Sequence, residues 1–325
     1  MAEQGKKNIA VRVIVIILAA IFVVGVFALR GFCADKEIES RLKIDKENRT
    51  LVFHGDDDIK ILQLTDTQLL KIDEAGSVME TVRKTVKKAS PDLIVLTGDN
   101  ISDNTGVSLF LCLVKGMEKF EIPWAPVLGN HDYRSLVTPQ RQSKIYESAK
   151  FCLFQTGNIT DSYGNYAYTI KRNETSVYSF LFMDSGRDFR EEHVEWYEKT
   201  VQNVIRENGG VVLPSWVFFH IPTEETQLAY ESSLRAGTTI DGEINEKMCI
   251  QSRNIGFFDA AKRGGTTALI YGHDHVNTMI VDYQGVKLCY GVKTGKTSYY
   301  EDRLQGGNLF RLKKDNTFTV ERIFV

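Results

Sequence analysis

Leu93-Ile94-Val95-Leu96-Thr97-Gly98-Asp99-Asn100 is the stretch on which the reading of this chain turns. A short apolar run bounded by polar residues suits a strand buried on both faces, and this one stops at a glycine and a carboxylate. The same arrangement recurs along the chain. Residues 61–64 lead to Asp66, 125–128 to Asn130 and His131, 217–219 to His220, and 268–271 to His273, Asp274 and His275. Strands lying side by side with one polarity bring their carboxyl ends to a single rim of the sheet, so these side chains are expected to converge. Carboxylate, amide and imidazole donors gathered in one place are the equipment of a two-metal hydrolase.

Each of these residues also has an ordinary reading. A lone Asp after a strand caps the next helix as readily as it binds an ion, and a lone His at a strand end is more often a packed core or rim residue. The set shifts the balance, because four of the six histidines, His131, His220, His273 and His275, fall in these segments. One carboxylate can bridge two cations about 4 Å apart and offset their repulsion. Asp99 suits that place, since Gly98 before it permits a tight backbone approach. Asn130 offers a neutral carbonyl oxygen, while the adjacent His131 points the other way and can act as an acid or stabilise charge. Asp132 is expected to hydrogen-bond the His131 imidazole and fix its tautomer. His273 and His275, two apart in a loop opened by Gly272, can reach two different ions.

Outward from these motifs, strand-like and helix-like segments alternate. Strands are expected at 51–54, 59–65, 92–97 and 123–128, with helices over 77–88, 106–119 and 141–150 between or after them. Residues 166–171 and 177–183 read as a hairpin, and a helix over 191–206 turns Trp196, Tyr197, Val201 and Ile205 inward. Strands over 212–219, 267–271, 277–282, 286–290, 308–312 and 318–325 complete the chain. An alternating first half and a strand-rich second half imply an α/β fold of two mixed sheets packed together, with helices outside.

At 325 residues and 43% hydrophobic content the chain can bury a large core, most of it as one domain over 58–325. Residues 1–34 differ in kind: Lys6, Lys7 and Arg12 precede a nearly unbroken apolar run over 13–29, and Arg30 follows. A membrane span takes about 20 apolar residues, with roughly 17 as the lower limit, so an N-terminal transmembrane helix is expected, with a cleaved signal as the alternative. The positive flank would stay cytoplasmic and the body would lie outside the cytosol, anchored or secreted. A juxtamembrane segment and a first strand over 35–57 would join the two. Asn48, Asn158 and Asn173 open Asn-x-Ser/Thr triplets compatible with such a compartment. A net charge of -2 without a concentrated basic stretch in the body signals no nucleic-acid surface. Five scattered cysteines make no disulfide framework, and Cys112 and Cys289, in apolar runs, read as packed thiols.

Asp66-x-Gln68, Gly98-Asp99, Gly129-Asn130-His131-Asp132, His220 and Gly272-His273-Asp274-His275, in this order and spacing, resemble the five motifs of the calcineurin-like metallophosphoesterases. Gly164-Asn165-Tyr166, Asp184-Ser185-Gly186, Gly256-Phe257-Phe258-Asp259 and Cys289-Tyr290-Gly291 are similar to its purple-acid-phosphatase-like branch. The resemblance implies a four-layer α/β/β/α sandwich and a dinuclear centre of two divalent or trivalent ions, Fe, Mn or Zn. Asp66 and His275 would hold the first metal, Asp99 would bridge, and Asn130, His220 and His273 would hold the second. His131 would assist the leaving group as an activated hydroxide attacks a phosphomonoester in line. A phosphodiesterase on nucleotides or lipid headgroups, or a non-catalytic tethered binding protein, are the alternatives. Two departures stand out. Gln68 occupies a place usually held by His, where its amide oxygen would coordinate more weakly. No Tyr follows the bridging Asp99 in Asn100-Ile101-Ser102-Asp103, so the purple iron-phenolate colour is not expected.

Overall fold

A computed structural model describes residues 41–186 and 188–325. The expected anchor over 13–29 lies outside them, and among the described residues no helix is long and apolar enough to cross a membrane.

The chain from Leu42 onward folds into two mixed sheets with helices packed against them. In chain order, β1 (Leu42–Asp45), β2 (Thr50–Phe53) and β3 (Ile59–Leu64) precede α1 (Ile72–Ala89), β4 (Leu93–Thr97), α2 (Val107–Glu118) and β5 (Trp124–Val127). After α3 (Pro139–Ser148) come the hairpin β6 (Tyr166–Arg172) and β7 (Thr175–Phe182), then α4 (Glu191–Glu207), β8 (Ser215–Phe218) and α5 (Glu224–Ala236). The chain ends with α6 (Phe257–Arg263), β9 (Thr266–Tyr271), β10 (Ile280–Tyr283), β11 (Val286–Tyr290), β12 (Gly306–Leu312) and β13 (Phe318–Phe324). The larger sheet runs β1-β2-β6-β7-β8-β9-β11-β10 and the smaller β13-β12-β3-β4-β5.

Polarity inside the sheets sets the location of the chemistry. β3, β4 and β5 pair in parallel in one sheet, and β7, β8, β9 and β11 in the other. Their carboxyl ends therefore share one rim. The sheets face each other across an apolar core in which Trp216 of β8 meets Phe310 of β12, with ring centroids 5.5 Å apart. A buried polar tie crosses the same interface. Gln63 of β3 donates to Thr97 Oγ1 and to the Tyr271 carbonyl, each at 2.9 Å, and accepts from Asn308 at 3.0 Å. Every partner in this tie is buried, so the bonds count at full strength and hold β3, β4 and β9 in register under the rim. A second apolar cluster lies under α4, α5 and α6, among them Tyr197, Ala229 and Phe257.

Differences from the sequence reading have local causes. α1 begins at Ile72 rather than at 77, because Asp73, Glu74, Gly76 and Ser77 interrupt the apolar pattern before the buried stripe of Val78, Val82 and Val86 is established. It stops at Ser90, which takes a left-handed backbone (φ 44°) ahead of Pro91. The polar stretch before Asn48 holds a strand, β1, which pairs antiparallel with β2 at the edge of the sheet. Helix α5 gave no apolar stripe; of its residues Glu225, Thr226 and Ala229 are buried. Cys112 is exposed on the outer side of α2 rather than packed, whereas Cys289 is buried; Cys112, Cys152, Cys249 and Cys289 are free thiols.

Candidate metal centre

Asp66 follows β3, Asp99 follows β4, Asn130 and His131 follow β5, His220 follows β8, and His273 and His275 follow β9. The backbone turns sharply at several of these places. Asp66 (φ 53°), Gln68 (φ 41°), Asp99 (φ 49°) and His273 (φ 79°) all sit in the left-handed region, which costs a non-glycine residue roughly 1–3 kcal/mol. Loop pairing sustains the turns: Asp66 N–H donates to the Gly98 carbonyl at 3.1 Å and Gln68 N–H to the Asp99 carbonyl at 2.9 Å. Glycines make room. A Cβ on Gly98 or Gly129 would collide with the His220 ring, and one on Gly272 with the Asp66 carboxylate.

Asp99, His220 and His273 form the tightest cluster, with ligating atoms all within 4.8 Å of one another. The His220 Nδ1–H donates to the Thr97 carbonyl at 2.8 Å, which leaves Nε2 facing inward, 3.2 Å from Asp99 Oδ2 and 3.2 Å from His273 Nδ1. Asn130 is buried and its Oδ1 has no hydrogen-bond partner. On the other side, the His275 Nδ1–H donates to the Tyr299 carbonyl at 2.8 Å, turning Nε2 toward Asp66 Oδ1 at 3.7 Å. That Asp66 oxygen is also buried and unpartnered. A buried acceptor left unmade costs about 1–3 kcal/mol, so one such oxygen on each side of the centre fits a cation there that would satisfy it. His220 and His275 are each oriented by a carbonyl behind the ring, the arrangement that fixes the tautomer of a metal-binding histidine. The donor set fits the metal ions that the motifs imply.

Without a cation, a proton takes its place. Burial alone would strip the proton from His220, but the Asp99 charge and hydrogen bond hold it well above the ordinary imidazole range. Burial likewise opposes the charge on Asp99, and the His220 and His131 charges overcome it, keeping that carboxyl below its usual value. His273, half-buried and beside charged His220, is pushed down to about 4, chiefly by loss of hydration, and stays neutral.

His131 sits at the mouth, partly exposed, its Nε2 3.8 Å from Asp99 Oδ2. Its orienting partner is not Asp132. That carboxylate is buried and turned away, accepting from the backbone N–H groups of Gly129 (2.8 Å), Ile101 (3.0 Å) and Asn100 (3.2 Å), which pin the loop after β4 to the loop after β5. Three backbone donors outcompete one imidazole, and Asp132 is pushed up to about 7 by burial and the nearby Asp99 charge. Asp103 takes the expected role, with Oδ1 2.6 Å from His131 Nδ1. Gln68 reaches the site but presents the wrong atom. Its amide N–H donates to Asp99 Oδ2 at 3.3 Å, while its carbonyl accepts from Lys293 at 3.3 Å. Lys293 is buried, and that burial lowers it to about 8.

The aromatics near the site have separate duties. The Tyr299 ring stacks on His275 with centroids 4.0 Å apart, and the Tyr133 hydroxyl donates to buried Asp184. Tyr300 is exposed. A cleft of ≈ 500 Å³ opens beside Asn130 and Tyr133, with Arg134, Arg190 and Arg253 on its wall. Asp103 and Lys293 were missed from sequence. Lys293 had a usable signal, since it follows β11, another strand ending on the same rim, in the otherwise apolar Tyr290-Gly291-Val292.

The model of the calcineurin-like phosphoesterase family matches residues 59–277. Probable inactive purple acid phosphatase 29 of Arabidopsis thaliana is 27% identical over 301 residues, covering 78% of this chain and 76% of its own length. Phosphatase DCR2 of Saccharomyces cerevisiae is 28% identical over 237 residues, covering 65% of this chain and 41% of its own. Among solved structures, purple acid phosphatase PPD1 from yellow lupin (Lupinus luteus) seeds aligns with a TM-score of 0.46 at 14% identity, over 82% of this chain and 52% of that one. With the family model matched across two thirds of its length, this chain belongs to the calcineurin-like phosphoesterases, and it is similar to Arabidopsis proteins named as purple acid phosphatases.

Proposed function

We propose that this protein is a metal-dependent phosphoric ester hydrolase acting on a phosphomonoester. The observation that carries the reading is the convergence of Asp66, Asp99, Asn130, His220, His273 and His275, with two buried oxygens unpartnered, beside an arginine-walled cleft. Cations held by these donors would lower the pKa of a water molecule and neutralise phosphoryl oxygens. Asn130, His220 and His273 with Asp99 would hold one ion, and Asp66 and His275 the other side.

The rest is the work of the chain's own side chains. Asp103 fixes the His131 ring so that Nε2 faces the centre, where a proton can be handed to a departing alkoxide. Arg134, Arg190 and Arg253 line the cleft together with Asp161, Asp184 and Asp188, and its volume suits a small organic phosphate whose oxygens an arginine can bind. Asp184, on the same wall, is engaged by Tyr133, Ser162 and the Tyr163 N–H. With α1 packed on β3, β12 and β13 and α6 on β9, the fold supports the four-layer sandwich that the motifs imply. The apolar run over 13–29 supports a membrane-anchored protein with this body outside the cytosol, or a secreted one if the run is cleaved.

Turnover of p-nitrophenyl phosphate against bis-p-nitrophenyl phosphate by the metal-loaded protein tests the reading. Preference for the monoester is expected. Preference for the diester replaces it with the phosphodiesterase reading, and inactivity toward both under metal-replete conditions favours the non-catalytic one, in keeping with the name of the Arabidopsis relative, a probable inactive phosphatase.

A further inference from the structure

Lys293 is buried and its ammonium lies on the Asp66 side of the centre, donating to the Asp66 carbonyl at 2.8 Å and to Gln68 Oε1 at 3.3 Å. Both acceptors are neutral oxygens. The position is set by backbone, since Thr65 and Lys293 form a parallel bridge, Thr294 N–H donates to the Thr65 carbonyl at 2.9 Å, and Thr65 N–H donates to Thr294 Oγ1 at 3.2 Å. A long side chain anchored this close to its root has little freedom to swing away.

Two consequences follow from ordinary electrostatics. First, a fixed positive charge next to Asp66 already offsets the carboxylates there, and it repels a divalent cation placed beside it. Second, the ammonium decides which way the Gln68 amide faces. With its carbonyl held by Lys293, Gln68 turns N–H toward Asp99 Oδ2, so a hydrogen rather than a lone pair points at the centre. Rotating the amide by half a turn would set N–H against the ammonium and oxygen against the carboxylate, and both contacts would be repulsive. Donors remaining on this side are Asp66 Oδ1, His275 Nε2 and a share of Asp99. The opposite side has Asp99, Asn130, His220 and His273, with no cationic side chain hydrogen-bonded to any of them among the described residues apart from the histidines themselves.

Taking the metal-centre reading as its premise, we propose that Lys293 is a resident cation of this centre. It supplies on the Asp66 side part of the charge that a first metal ion would carry, so the chain holds one transition-metal ion tightly at Asp99, Asn130, His220 and His273 and a second only weakly.

The experiment is metal counting by elemental analysis after desalting, with calorimetric titration of Zn²⁺ and Mn²⁺, on the full chain purified in detergent. Wild type is expected to keep one equivalent and to bind a second about 100-fold more weakly or worse. Lys293→Met, close in volume but uncharged, is expected to tighten the second ion by about 10- to 100-fold, and Lys293→Arg to leave the count at one. Gln68→His combined with Lys293→Met is expected to retain two equivalents, and more tightly than Gln68→His alone. A thermal melt of each metal-free variant checks folding, and wild type together with Gln68→His decides the matter if Lys293→Met does not fold. Two tightly held equivalents in wild type, or an unchanged second affinity in folded Lys293→Met, overturns the proposal. Retention of no metal by wild type overturns the metal-centre reading beneath it.

Discussion

The two sides of the centre are built from the same rim yet equipped differently. The Asp99, Asn130, His220 and His273 side offers one carboxylate and two imidazoles within 4.8 Å of one another, and one unpartnered amide oxygen. The Asp66 and His275 side offers one unpartnered carboxylate oxygen and one imidazole, with an amide turned the wrong way and a buried ammonium behind it. Strand polarity can deliver residues to a place, but the choice of donor atom is made by whatever stands behind each side chain. Thr97 and Tyr299 carbonyls aim His220 and His275 inward; Lys293 aims the Gln68 oxygen outward.

The contrast can be broken from several directions. Asp99→Ala removes the residue both sides share, and is expected to leave no metal after desalting and no hydrolysis above the blank. His131→Ala should keep its metal and slow turnover by a factor on the order of 10² to 10⁴, the range of a general acid. Normal turnover in that variant would take His131 out of the chemistry. Paired substitutions sharpen the difference between the sides. His220→Ala is expected to weaken the tightly held ion by about 10- to 100-fold or more, whereas Asp66→Asn should leave it in place and affect only the weaker one. Equal losses in the two variants would mean that the sides act as one site.

Per unit, pH has a smaller effect. The proton that His220 keeps in the metal-free centre must leave before a cation enters, so metal affinity falls by up to about tenfold for each pH unit below the raised His220 value. The metal-free fold behaves in the opposite sense. Because the His220 value is raised above the ordinary 6.5, its contribution to stability is complete below that pH and is lost as pH rises through the raised value. Titrating metal affinity and metal-free melting temperature from pH 5 to 9 separates the two. Affinity that ignores pH would show that His220 does not carry the displaced proton.

Much of this was legible in the sequence because the signal lay in strand ends. Residues 61–64, 93–96 and 268–271 are buried on both faces and, Gln63 apart, apolar, and they end in donors that the parallel sheets place where the pattern implies. Position was readable; orientation was not. Asp132 follows His131 directly, yet its carboxylate goes to the Gly129, Ile101 and Asn100 amides, donors whose location depends on how two loops pack. Asp103, which does hold His131, lies 28 residues earlier with no periodic or compositional mark. Strand β1 escaped notice because an edge strand with little buried surface leaves no apolar run, and α5 because three buried residues in one helix make no stripe.

Crystals of the protein grown with Zn²⁺ or Mn²⁺, measured at the metal absorption edge, test the central claim most directly. The account predicts an anomalous peak about 2.0–2.3 Å from the donor atoms of Asp99, Asn130, His220 and His273, strong beside any peak near Asp66 and His275. A peak held by other residues, or none at this cluster in metal-replete crystals, would contradict it.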